Sequence, residues 1–176
     1  GWIALAAAIA GGADIALIPE IPYSLESVMG KIDDRFRSGR GFAIVVVAEG
    51  ARPAGGDVVA TQSDEIGNRN RMLGGVGRFL VGQVKKHMPD VETRVTVLGH
   101  LQRGGSPCAF DRILATQFGV AAVDLIKEQK FGYMVASDYP KIVALPLKEA
   151  IASYHYVEHN DPLVHTARGL GICLGD

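Results

Sequence analysis

Glu49, His100 and Arg103, with Gly104 and Gly105 directly behind, are the side chains whose types and spacing best suit chemistry. Each sits just past a run of strand composition. Glu49 follows the apolar stretch 42–48, and residues 99–105 follow 94–98. In an open α/β sheet, ligands bind beyond the carboxyl ends of the strands, and parallel strands set those ends on one rim. Arg103 brings a planar, permanently charged fork that matches phosphate. His100 can donate to phosphate or hydroxyl, and Glu49 is a bidentate acceptor for sugar hydroxyls. Gly104 and Gly105 let a ligand approach the backbone without a Cβ clash. A helix expected from Ser106 adds unpaired N–H groups and partial positive charge, about 0.3–1 kcal/mol per anion contact at a surface. This set suits a phosphorylated polyol. It also reads as a solvated loop cation, a turn cap and a wet strand end, and the spacing alone admits both.

Arg94 opens the stretch that His100 follows. Six residues at about 3.3 Å each in a strand separate them by about 20 Å. Arg94 is then either structural or serves a neighbouring subunit. Gly74-Gly75-Val76-Gly77 follows no strand and lacks the spacing and lysine of a P-loop. His87, His155, His159 and His165 lack metal-ligand spacing beside a carboxylate or cysteine. Asp33-Asp34 and Asp64-Glu65 read as solvated faces.

The elements that must position these residues alternate in period. Residues 2–10 have helical composition and end at Gly11-Gly12, and 14–18 is a continuously apolar run closed by Pro19. Ser24 precedes helical spacing through Leu25, Val28, Met29, Ile32 and Phe36, with Gly39 beyond a basic last turn. The run 42–48 is apolar and rich in β-branched residues, as in a parallel strand covered on both faces. Residues 50–67 read as a polar loop. Met72/Leu73, Val76, Phe79/Leu80 and Val84 predict a helix ending at Pro89, and 94–98 a further strand. Ser106 as N-cap and Pro107 as first helical residue open the helix lined by Phe110, Ile113, Leu114, Phe118, Ala121 and Leu125. Two short strand-like runs, 132–136 and 141–145, and a last helix near Asp161-Pro162 complete the chain. The predicted fold is α/β, an open, mostly parallel sheet with helices on both faces.

Composition narrows the function classes. The 176 residues are 48% apolar and 21% charged with formal charge −1, so no field of one sign recruits nucleic acid or an anionic membrane. No apolar run reaches the ~18 residues of a membrane span. Cys108 and Cys173 make neither a disulfide framework nor a zinc pattern, which favours a reducing, cytoplasmic setting. The start reads as a helix cut part-way along, the expectation being a fragment.

The string Leu98-Gly99-His100-Leu101-Gln102-Arg103-Gly104-Gly105-Ser106-Pro107-Cys108-Ala109-Phe110-Asp111-Arg112 closely resembles the signature of 6-phosphofructokinases. Ala6-Ala7-Ala8-Ile9-Ala10-Gly11-Gly12-Ala13-Asp14, Ile18-Pro19-Glu20 and Val47-Ala48-Glu49-Gly50 follow the family's order, over nearly the whole chain. The resemblance is to the C-terminal half of a bacterial-type enzyme with a Rossmann-like sugar-binding lobe. It implies phosphoryl transfer from ATP to the 1-hydroxyl of fructose 6-phosphate, giving fructose 1,6-bisphosphate, in a glycolytic kinase that is a cytoplasmic homo-oligomer, of the homotetrameric kind. By the same resemblance, His100 and Arg103 bind the sugar 6-phosphate, Arg94 reaches that phosphate from a neighbouring subunit, and Glu49 binds sugar hydroxyls. The catalytic base, the phosphate loop and the Mg2+ with ATP (or pyrophosphate) are implied to belong to an N-terminal half, leaving no catalytic residue and no activity in this chain alone. The implied layout is a fructose 6-phosphate lobe over 1–101, a segment over 102–153 returning to the nucleotide lobe, and a C-terminal helix over 154–176 back on the sugar lobe. Asp14 and Arg40 fall where an allosteric effector site has an acidic residue and a lysine, but Ser38 stands where a second lysine belongs. The alternatives are a pyrophosphate-dependent enzyme and a stand-alone sugar-phosphate-binding module.

Overall fold

Five alanines among ten residues drive the first helix, α1 (Trp2–Gly11), because alanine loses least on entering a helix. Gly12 ends it at φ 67°, a left-handed cap in which the backbone N–H groups close on Ala8 and Ile9 carbonyls. A computed structural model describes residues 1–57, 60–61, 72–73 and 75–176. It divides into two units, 1–97 with 156–176, and 98–155.

In the first unit, β1 (Ile15–Leu17) pairs in parallel with β2 (Val45–Val47), Ile15 opposite Val45 and Leu17 opposite Val47. Between them runs α2 (Leu25–Arg37), whose N-cap Ser24 side chain accepts from the Ser27 N–H. Cys173 adds a parallel bridge to Ile15 on the other edge of β1. Neighbouring residues of a strand face opposite ways. Ala16, Ile18, Val46 and Ala48 accordingly pack with Ala4, Leu5 and Ala8 of α1 and with Val164 and Ala167 of α6 (Pro162–Gly169). Ile15, Leu17, Val45 and Val47 pack with Val28, Met29 and Ile32 of α2 and with Val76, Leu80 and Val84 of α3 (Val76–His87). The parallel pair is thus covered by helices on both faces, the α/β arrangement the apolar runs predict. Two-residue strands, β3 (Ala60–Thr61) and β4 (Met72–Leu73), pair antiparallel.

The second unit carries a 3-10 helix (Gly99–Arg103), α4 (Ala109–Lys127), an antiparallel hairpin of β5 (Tyr133–Asp138) and β6 (Lys141–Pro146), and the short α5 (Leu147–Ala150). No residue of α4 is buried; of its expected apolar face Phe110 and Ile113 are exposed, while Leu114, Phe118, Ala121 and Leu125 are half-buried.

Four elements differ from the sequence reading. The strand expected over 42–48 is ladder-paired only at Val45–Val47, and Phe42 and Ile44 are exposed. Met72 and Leu73, expected in a helix, form β4 instead, and the helix begins at Val76 behind Gly75. The run 94–98 forms no strand: it has no ladder partner among the described residues, Val97 and Leu98 are exposed, and the division between units falls between those two. Composition favours a strand, but a strand also needs a neighbour to satisfy its backbone. The length argument separating Arg94 from His100 loses its premise with it. Finally, α4 is capped by Cys108, not Ser106, because the Asp111 carboxylate reaches back to the Cys108 N–H at 2.9 Å and closes a capping box. Pro107 therefore precedes the cap. Residues 58, 59, 62–71 and 74, including part of the expected 50–67 loop, with Asp64-Glu65, and part of the Gly74–Gly77 motif, lie outside the described residues.

Candidate functional site

His100 and Arg103 share the 3-10 turn Gly99–Arg103, and both are exposed. The turn closes through Leu101 N to Leu98 O at 2.9 Å and Gly104 N to Leu101 O at 3.0 Å. Gly99 at φ 49° and Gly105 at φ 101° bracket it, two left-handed positions that glycine takes without a Cβ penalty. Among the described residues Arg103 has no hydrogen bond or ion pair, so its guanidinium is uncommitted. A fork of five donors free at the surface, three residues along one turn from an imidazole, can clamp a phosphate dianion.

Glu49 stands in the first unit, two residues beyond β2 and exposed. Its turn is fixed by Ala51 N to Ala48 O and by Ala48 N to Leu17 O, each 2.9 Å. The strand end therefore sets where the carboxylate stands, and its oxygens are open to hydroxyl donors. Arg94, also in the first unit, is 86% exposed and pairs with Glu92, Nη2 to Oε1 at 2.8 Å. Exposed pairs of this kind contribute about 0–1 kcal/mol, so Glu92 does not hold Arg94 against a phosphate.

Of the other pair named from sequence, only Asp14 is committed inward. Asp14 is 7% exposed. Its Oδ2 accepts from Ile44 N at 2.8 Å, and its Oδ1 lies 2.7 Å from Arg35 Nε, close enough for an ion pair though outside hydrogen-bond alignment. Arg40 is exposed, and its backbone N–H donates to the Arg35 carbonyl at 3.2 Å. Arg35, which sequence reasoning read only as a last-turn cation, touches both, Asp14 at its Nε and the Arg40 N–H at its carbonyl. A basic residue three positions before Ser38 gave no signal that it would turn back to β1.

Sequence reasoning gave Glu20 no role beyond its place in the Ile18-Pro19-Glu20 string; its carboxylate accepts from Val157 N at 3.2 Å and lies 3.1 Å from Gly1 N. Burial pushes its pKa up, while the Val157 N–H and its own backbone N–H pull it down. Asp111 is held below 3.8, first by the Cys108 N–H and then by the Cys108 side chain. Its signal was legible, an acid three residues after the cap. Among the described residues no group of three or more His, Cys, Asp or Glu is placed to hold a metal ion.

Known proteins share this framework. A profile described as Phosphofructokinase matches residues 1–126. ATP-dependent 6-phosphofructokinase 1 of Synechocystis sp. is 51% identical over 176 residues, all of this chain and 48% of the relative. ATP-dependent 6-phosphofructokinase of Chloroflexus aurantiacus is 48% identical, again over the whole chain and 47% of the relative. This chain therefore spans about half the length of these curated relatives. The crystal structure of a pyrophosphate-dependent phosphofructokinase from Marinobacter aquaeolei is similar in fold, with TM-score 0.69 and 24% identity over 99% of this chain and 42% of that one. A phosphofructokinase structure from Saccharomyces cerevisiae gives TM-score 0.63 and 30% identity over 86% and 19%. With the profile covering well over half of its residues and the glycine-bracketed turn in place, the chain belongs to the phosphofructokinase family.

Proposed function

We propose that this chain supplies the fructose 6-phosphate side of an ATP-dependent 6-phosphofructokinase. The observation that carries the reading is the turn Gly99–Arg103, which presents beside His100 an Arg103 with no side-chain partner among the described residues. Arg103 and His100 grip the 6-phosphate, Glu49 accepts from ring hydroxyls, and Arg94 completes the phosphate site from a neighbouring subunit of a homo-oligomer. Residues 1–101 act as the sugar lobe, 102–153 as a return segment to a nucleotide lobe, and 154–176 as a closing segment on the sugar lobe.

In phosphoryl transfer the protein mainly positions the groups and neutralises developing charge. The 1-hydroxyl oxygen bonds to the transferred phosphorus, the bond from that phosphorus to its donor breaks, and the hydroxyl proton leaves to a base. The residues described here anchor the far end of the sugar, holding its 1-hydroxyl at a fixed distance from the 6-phosphate. They supply neither the base nor ligands for Mg2+ and nucleotide, which the reading places in the remainder of the protein. The similarity to ATP-dependent relatives supports ATP as donor. No described helix is long and apolar enough to cross a membrane, and a cytoplasmic glycolytic role follows from the proposed reaction.

The test is the full-length protein assayed with fructose 6-phosphate and either ATP or pyrophosphate. Product formed with ATP and Mg2+ supports the reading. Turnover with pyrophosphate alone corrects the donor. Saturable sugar-phosphate binding with neither turnover supports a binding module instead.

A further inference from the structure

We propose that Glu20 is the positioning residue for Glu49, an inference that rests on the sugar-phosphate reading of Glu49 above. Glu20 stands at the carboxyl end of β1, after Ile18 and Pro19, on the rim where parallel strands present ligand-binding residues. Its side chain is only 9% exposed. Oε1 accepts from Val157 N at 3.2 Å and lies 3.1 Å from Gly1 N, and the Glu20 carbonyl accepts from His159 Nε2 at 2.9 Å. Three segments far apart in sequence, the start of α1, the end of β1 and residues 157–159, are gathered on this one residue.

Close packing makes the gathering specific. A Cβ on Gly1 would stand 2.2 Å from Glu20 Oε2, so the start of α1 runs close against the carboxylate. On the other side, a Cβ on Gly50 would stand 3.0 Å from Pro19 Cγ, so the proline ring rests against the residue that follows Glu49. With Ala48 N bonded to Leu17 O at 2.9 Å, the turn carrying Glu49 is bounded by β1 below and Pro19 beside it. Glu20 fixes Pro19, and Pro19 fixes the turn.

The chemistry of the clamp adds to this. A carboxylate with one oxygen engaged and the other, Oε2, buried without a partner among the described residues is a costly group to keep at a strand end. A hydrophobic residue would fill the space without that cost. What a carboxylate adds is a fixed acceptor for the Val157 N–H, which orders the rim before a ligand arrives. Such ordering lowers the cost of binding rather than the barrier to reaction.

Glu20→Ala and Glu20→Gln in the full-length protein separate this from a merely structural role. Glu20→Ala is expected to raise KM for fructose 6-phosphate about tenfold, the loss of roughly one charge-assisted hydrogen bond, with a much smaller change in kcat. Amide exchange at Gly50 and Ala51 accelerates in the same variant. Glu20→Gln keeps one acceptor oxygen for Val157 and recovers most of the KM. Unchanged exchange at Gly50 and Ala51 in Glu20→Ala would overturn the positioning role, whatever the ligand proves to be. Equal losses in kcat and in folded protein, with KM unmoved, would also overturn it. Absent fructose 6-phosphate saturation in the unsubstituted protein would instead overturn the sugar reading, and the exchange data would still judge the clamp.

Discussion

Asp14 and Arg35 meet across the gap between β1 and α2, Oδ1 to Nε at 2.7 Å, with both side chains largely out of water. Because the second carboxylate oxygen takes the Ile44 N–H, the pair ties α2 to both strands of the parallel sheet. Removing one member of a buried pair leaves the other charged and uncompensated, on the order of 3–5 kcal/mol. Arg35 keeps some water contact, so Asp14→Asn is expected to cost less, about 2–3 kcal/mol by denaturant unfolding. A loss below about 0.5 kcal/mol would place the pair among surface contacts. An effector that used Asp14 would have to displace Arg35, so the same variant should lose stability whether or not any effector is present.

Gly175 sits at φ 92°, and a Cβ there would stand 2.4 Å from Tyr23 Cβ and 3.0 Å from Leu17 Cδ2. Tyr23 and Leu17 are fully buried, so neither has room to give way. Gly175→Ala is expected to cost about 2 kcal/mol or more, combining left-handed strain with overpacking. Thermal unfolding checks it, and an unchanged Tm would mean that the C-terminal segment lifts away freely.

Asp111 supplies a pH dependence of definite sign. The Cys108 N–H holds its pKa below the ordinary 3.8, so the folded state favours the charged carboxylate. Its support for the start of α4 is fully present above 3.8 and is lost as pH falls through the lowered value. An NMR titration of the Asp111 carboxyl is expected to show a midpoint below 3.8, and α4 fraying at its first turn over the same range. A midpoint at or above that value would mean the capping box is not formed in solution.

The 176-residue chain alone is expected to show no kinase turnover, since base, nucleotide and metal sites are assigned to the remainder of the protein. A coupled assay on the purified chain checks this, and measurable turnover would move those sites into it.

The parallel pair and its two helical coverings were legible because alternate residues of 15–18 and 45–48 are apolar on both sides, a pattern that only a doubly covered strand tolerates. Helix ends were legible at Ser24, Gly12 and Asp161, where side chain or backbone freedom acts within a few residues. The 94–98 run misled because strand composition reports a preference, while pairing depends on a neighbour elsewhere in the chain. Met72 and Leu73 misled in the opposite sense, since two apolar residues at a helical register serve a short antiparallel pair equally well. At the candidate site, side-chain identity pointed to Glu49, His100 and Arg103, but Arg35 and Glu20 owe their roles to partners 21 and 137 residues away. No local pattern carries that information.

The central claim is that the exposed guanidinium of Arg103 grips a sugar phosphate. Calorimetric titration of fructose 6-phosphate into the full-length protein and its Arg103→Ala variant tests it most directly. The account predicts that binding weakens about 10- to 100-fold in the variant, as expected when a bidentate charge-assisted contact of roughly 1.5–3 kcal/mol is lost. Equal affinity in the two proteins, with the fold intact, would contradict it.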